Sequence, residues 1–137
     1  MLIEETGVAE ADLPLEPFKA HLRMGSGFGT ETVQEPVLAS FLRAAIAAIE
    51  ARTGKALISR LFTMTVQEWA DPQAQALPVG PVRQIVGVTV VARDAMETVI
   101  EPQRYWLVRD MQTPLLKPSG AMLPFIPPQG SVEVLFE

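Results

Sequence analysis

The chain has 137 residues, 48% hydrophobic and 20% charged, which fits one globular domain with a core rather than a disordered tail or a disulfide-stapled miniprotein. Eleven basic against sixteen acidic residues give a net charge of −5, the wrong sign for gripping nucleic acid by neutralising phosphates, although an acidic wall lets DNA slide past. Cysteine is absent, which excludes disulfides, cysteine-type zinc clusters, redox motifs and thiol nucleophiles, and leaves the redox compartment open.

The N-terminal run MLIEETGVAEADLPLEP is acidic and has neither a basic n-region nor an apolar h-region. No run approaches the ~18 apolar residues of a membrane span, so the expectation is a soluble protein, intracellular when made. Residues 1–14 lack a sustained period and read as an extended or flexible arm. Leu15 to Arg23, LEPFKAHLR, places Phe18 and Leu22 four residues apart with Pro17 in the first turn, which predicts a short helix packed on the next one. MGSGFGTE follows as a glycine-rich connection. Gly25, Gly27 and Gly29 lack the preceding strand and the Gly-Lys-Ser/Thr ending of a phosphate cradle, so they read as loop.

Thr32 to Gly54 is the longest periodic stretch. Thr32 and Glu35 have the spacing of a capping box, Pro36 marks a start four residues later as the alternative, and Gly54 ends the helix. Leu38, Phe41, Leu42, Ala45, Ile46 and Ile49 form an apolar stripe, with Ser40, Arg43, Glu50 and Arg52 opposite. Burial of each Leu, Ile or Phe contributes roughly 1.5–3 kcal/mol, so this helix is expected to be the core of the fold. Its many alanines let a second backbone approach closely.

After Gly54 the period falls from 3.6 to 2. Arg60 to Trp69 alternates Phe62, Met64 and Val66 with Thr63, Thr65 and Gln67, a half-buried strand. The proline-containing stretch DPQAQALPVGP, a loop or a short edge segment, leads to Val82–Arg93, a β-branched strand in which Gly87 points to a bulge. DAME reads as a hairpin turn before Thr98–Ile100; further strands are expected at Arg104–Arg109, Leu115–Lys117 and, after the loop PSGAMLPFIPPQG, at Ser131–Glu137. Links this short cannot house parallel crossovers, so the sheet is antiparallel. The fold class is α+β: an N-terminal helical hairpin (15–54) with one long amphipathic helix, then a small antiparallel sheet or sandwich-like half (57–137), all in one domain spanning 15–137.

Little in the chain points to catalysis. His21 is the only histidine, so no imidazole pair can hold a metal and a serine–histidine–aspartate set has a single position to use. The carboxylate pairs Glu4 with Glu5 and Asp94 with Glu97 fall in arm and turn sequence, where solvation accounts for them. Trp69, Trp106, Tyr105 and Phe28 have no basic groove beside them in sequence and read as core or interface packing. No catalytic, metal-binding or cofactor-binding residue is assigned.

The order of motifs carries a resemblance. LEPFKAHLRM, a gap, a helix ending IEARTGKALISR, the strand LFTMTVQEW, then LPVGPVRQIVGVTVV and EPQRYWLV is similar to the head–tail connector (adaptor) family of long-tailed phages and related particles. Lys19, His21, Leu22 and Arg23 match its KAHLR-like helix, and Glu50, Thr53, Gly54, Lys55 and Ala56 its helix ending. Leu77, Pro78, Gly80, Pro81, Val82, Ile85, Val88 and Val90 match its LPxxPVxxVxxV segment, and Tyr105 its DYxL-like strand. Within the family the chain looks closest to the branch in gene transfer agents of the Rhodobacter type, phage-like particles that package host DNA. The likeness spans Leu15 to Glu137. Family members continue past the last strand into C-terminal helices; that extension is absent after Glu137, and a truncated version of the family domain is expected.

The resemblance implies a structural virion protein made in the bacterial cytoplasm and placed at the head–tail junction. It implies a ring of copies, twelve-fold to match the portal, between the portal protein and the tail-side stopper or tail-terminator proteins. DNA would pass through the lumen without sequence-specific binding, and no membrane is involved. A closed ring needs two different faces per subunit, and Arg43, Glu50 and Arg52 on the long helix are the candidate subunit-contact residues. The alternatives from other classes are a monomeric protein-binding module and a small carboxylate-dependent enzyme.

Overall fold

The computed structural model describes residues 1–22 and 35–137, and these divide into two compact units, Val8–Thr53 and Met1–Gly7 with Gly54–Glu137. The capping-box residue Thr32 and the glycines at 25, 27 and 29 lie outside the described residues.

The first unit is helical. Helix α1 spans Leu15–His21 and packs on α2, Glu35–Thr53, with a single 3₁₀ turn at Glu10–Asp12 ahead of them. Lys19 ties the two helices together: its Nζ donates to Glu16 at 2.9 Å and to Glu35 at the start of α2. Those two carboxylates, Glu35 first, raise the Lys19 pKa. Gly54, at φ +65°, directly follows α2 in the left-handed conformation that favours glycine after a helix.

The apolar stripe of α2 does not form the core. Only Ala39 of this helix is buried; Leu38, Leu42 and Ile46 are half-buried, whereas Phe41 and Ile49 are 64% and 48% exposed. The reason is the size of the partner: α1 has seven residues, none of them buried, and covers too little of a 19-residue helix. Periodicity correctly marked a helix but not what covers it.

The second unit holds the core and eight strands. β1 (Leu2–Glu4), β2 (Phe62–Val66), β4 (Ile85–Val91), β5 (Glu97–Val99) and β8 (Ser131–Phe136) form an antiparallel sheet in the order β1-β2-β8-β4-β5. β3 (Gln75–Ala76), β7 (Leu115–Pro118) and β6 (Tyr105–Val108) form a second sheet, ordered β3-β7-β6. All named pairings are antiparallel; short connections required this only for β4–β5 and β6–β7, the other pairs being far apart in sequence. The inward residues of both sheets meet in one core, with Val88, Leu116, Val132 and Val134 fully enclosed.

Alternation explains the burial. In β8, Val132, Val134 and Phe136 point inward while Glu133 is exposed, and in β2 Phe62 and Met64 do the same beside half-buried threonines. Phe62 sits opposite Phe136 in register, and their rings stack with centroids 5.8 Å apart. Ile85 pairs with Phe136 and Gly87 with Leu135, so Val86 is the extra residue of the bulge that Gly87 foretold.

β2, β4, β6 and β8 are shorter than the periodic runs, and one strand was missed. Leu2–Glu4, assigned to the arm, is extended but hydrogen-bonded: Leu2, Ile3 and Glu4 pair with Met64, Thr63 and Phe62. The Met1 amino group donates to the Thr65 carbonyl at 2.7 Å, and Thr65 N–H returns a bond of 2.8 Å to Met1. Three residues are too few for alternation to register, and their partner lies some sixty positions away.

Phe136→Ala is expected to cost about 3–5 kcal/mol, because it removes a buried ring and leaves a cavity. Ile49→Asp in the isolated chain is expected to change stability by less than about 1 kcal/mol, as for other exposed positions. Urea unfolding of the two variants checks both, and equal losses would refute the placement of the core in the β-rich unit.

Candidate interaction surface

Of the polar groups that sequence inspection weighed for catalysis, Glu4 and Asp94 have structural partners. Glu4 faces Arg60: Nε lies 2.9 Å from Oε1 and Nη2 donates to Oε2 at 3.2 Å. Arg60 is nearly enclosed, and its guanidinium lies 4.8 Å above the Phe62 ring, so the fork from Glu4 neutralises a cation packed on the core. Asp94 accepts the Met96 N–H at 3.2 Å within the β4–β5 turn. Among the described residues no three histidine, aspartate or glutamate side chains converge on a metal-sized site. His21 is exposed at the end of α1.

The aromatic residues divide. Tyr105 is buried, and burial raises its pKa. Trp69 is half-buried with Nε1 donating to the Pro124 carbonyl at 2.7 Å, and Trp106 is 51% exposed beside an open groove of about 630 Å³ lined by Arg83, Tyr105 and Arg109. Phe28 lies outside the described residues.

Helical geometry separates the three charged candidates on α2. Arg43 and Glu50 are seven residues apart and share a side, whereas Arg52 lies about 180° round from Arg43. Arg43 Nη1 donates to the Val8 carbonyl at 2.7 Å, so it fastens the start of its own unit to α2. Glu50 is half-buried, and Arg52 is exposed. The three do not form one cluster.

Two exposed apolar surfaces stand out instead, neither of which was read as a contact site from sequence. One runs along α2 through Val37, Phe41 and exposed alanines. Its signal was present: apolar residues occupy more of the helix than one stripe, which implies more than one covering partner. The other is the loop after β7, where Met122 and Phe125 are exposed, the latter by 79%. That loop is pinned by the Trp69 bond, by Leu123 N–H to the Pro72 carbonyl at 2.8 Å and by burial of Leu123. A proline-rich sequence conceals this fixity, since its anchors lie some fifty residues earlier.

Two surface carboxylates, Asp110 exposed and Glu137 half-buried, are held in their charged form by hydrogen bonds. Asp110 Oδ1 accepts Thr113 N–H and Gln112 N–H, each at 2.7 Å, which lowers its pKa. Glu137 accepts from Ser59 at 2.9 Å and Gln84 at 2.7 Å, with Arg83 adding attraction, and its pKa is likewise lowered.

The exposed apolar surfaces thus lie one on each unit, along α2 and in the loop after β7. The chain aligns over 99% of its length, at 43% identity and a TM-score of 0.91, with 69% of a chain in the neck of an empty gene transfer agent (GTA) particle computed with C6 symmetry. It aligns likewise at 43% identity and a TM-score of 0.88 with 70% of a chain in the virion of a native GTA particle, again over 99% of its own length. A third match, at 40% identity and a TM-score of 0.83, covers 99% of this chain and 68% of one in the neck of a native GTA particle computed with C12 symmetry. No protein-family model and no curated protein matches the chain. These neighbours are structural components of a virion, not enzymes. The chain belongs to the family of GTA neck proteins.

Glu4→Ala leaves the nearly enclosed Arg60 guanidinium without its fork and is expected to lower stability by about 1–2 kcal/mol, the upper end being discounted because Glu4 is itself part-exposed. The urea midpoint of the variant checks this. For Asp110, a folded pKa below the ordinary 3.8 means that its stabilisation is present above that value and is lost as pH falls through the folded pKa. Asp110→Ala is therefore expected to be less stable than the parent at neutral pH, with the gap closing as pH falls below 3.8. Urea midpoints across a pH series test it; a gap independent of pH would show that the charge of Asp110 plays no part.

Proposed function

We propose that this chain is an adaptor subunit: copies of it form a ring that joins the portal of the head to the tail side of a phage-like particle and line part of the DNA conduit. The observation that carries this is the match over 99% of the chain, at 43% identity, to a chain in a GTA neck. Necks computed with C6 and C12 symmetry support repeated copies about an axis, and a twelve-fold ring matching the portal is the arrangement proposed here. Its neighbours along that axis are then the portal protein and a stopper or tail-terminator protein.

The chemistry agrees with a conduit. A net charge of −5 gives little counterion-release affinity, so passing DNA is not retained. Ring closure by rotation brings one face of each subunit against a different face of the next. Arg43, Glu50 and Arg52 remain candidates for such contacts, but as separate positions on α2 rather than one patch.

Deleting the coding sequence is expected to yield DNA-filled heads that lack tails or leak their contents. Electron micrographs of particles from the deletion strain check this; a normal proportion of tailed particles would overturn the adaptor reading.

A further inference from the structure

Helix α2 carries more apolar surface than its own unit covers. Val37, Phe41, Ala44, Ala45 and Ala48 fall within an arc of about 100° around the helix, and all five are exposed. The buried and half-buried positions, Leu38, Ala39, Leu42 and Ile46, lie outside that arc. A helix apolar over most of its circumference belongs between partners, and α1 is the one its unit supplies among the described residues. The alanines make the exposed arc shallow enough for another backbone to come close, and Phe41 stands above it as a knob.

Resting on the ring reading above, we propose that this arc of α2 is a subunit contact, covered by a second copy of the chain. Two considerations select that occupant. A ring presents every subunit with a neighbouring copy, and a heterologous contact is repeated at each step. Each copy also carries a net charge of −5, so copies repel unless they meet through surface without acidic groups, and the five apolar residues of this arc carry no charge. Arg52, also exposed, lies within the same arc one turn beyond Ala48, where it adds a cation toward an acidic neighbour.

The test uses assembled particles with the photoreactive amino acid p-benzoylphenylalanine in place of Phe41. Illumination is expected to give a covalent dimer, and particles built from a mixture of isotopically heavy and light chains should give mixed cross-linked peptides, showing that two copies are joined. Cross-links only to a different neck protein, or only within one chain, would overturn the proposal. Absence of the protein from purified particles would overturn the neck reading, and this contact with it. A second variant, Ala45→Glu, is expected to keep the melting temperature of the isolated chain while reducing incorporation into particles at least about tenfold, since a charge is then desolvated at every contact. Parental incorporation of that variant would also overturn the proposal.

Discussion

The β-rich unit depends on one strand. β8 lies between β2 and β4, and three of its six side chains, Val132, Val134 and Phe136, point inward and are enclosed. Each neighbour is registered against it: β2 through the Phe62–Phe136 stack, β4 through the bulge at Val86 that lets Ile85 reach the same phenylalanine. β1 and β5 then add to the outer edges. Remove β8 and the two central hydrogen-bonded ladders of the sheet are lost together.

Gly130 shows how tightly that strand is set. A Cβ at this position would come within 2.6 Å of the Val91 carbonyl, a backbone atom that cannot swing aside. The turn before β8 brings Gly130 N–H to the Pro127 carbonyl at 2.9 Å, and Gln129 takes a positive φ of 60° to make it. The proline run ahead of the strand is thus a shaped lead-in that fixes where pairing with β4 begins at Ser131 and Val91.

How much of this was legible follows from the range of each interaction. Phe62 and Met64 were readable because alternation is local and both lie in a strand of five residues. The same holds for Gly54 and Gly87, whose roles belong to a single helix end and a single bulge. β1 was not readable, nor was the Glu4–Arg60 fork, because their partners are more than fifty positions away and no pattern links them. Leu77, Gly80 and Val82 belong to the motif that carried the family resemblance, and the structure gives two of them a packing role: Leu77 and Val82 are core. Gly80 lets the chain pass a Met111 carbonyl that a Cβ would meet at 3.2 Å.

The long helix is the instructive disagreement. Its period was read correctly and its burial was not, because periodicity states that a face needs covering without naming the cover. The difference is energetic as well as geometric. The β-rich unit encloses its own apolar residues, whereas α2 leaves Phe41, Val37 and Ile49 largely in water, so the hydrophobic gain of that surface is still to be realised. In the proposed ring that gain falls to the contact between copies rather than to the fold of the single chain. Such a division suits a ring subunit, since the surface that would close the ring contributes little to the fold of the monomer and can be shaped by its neighbour alone.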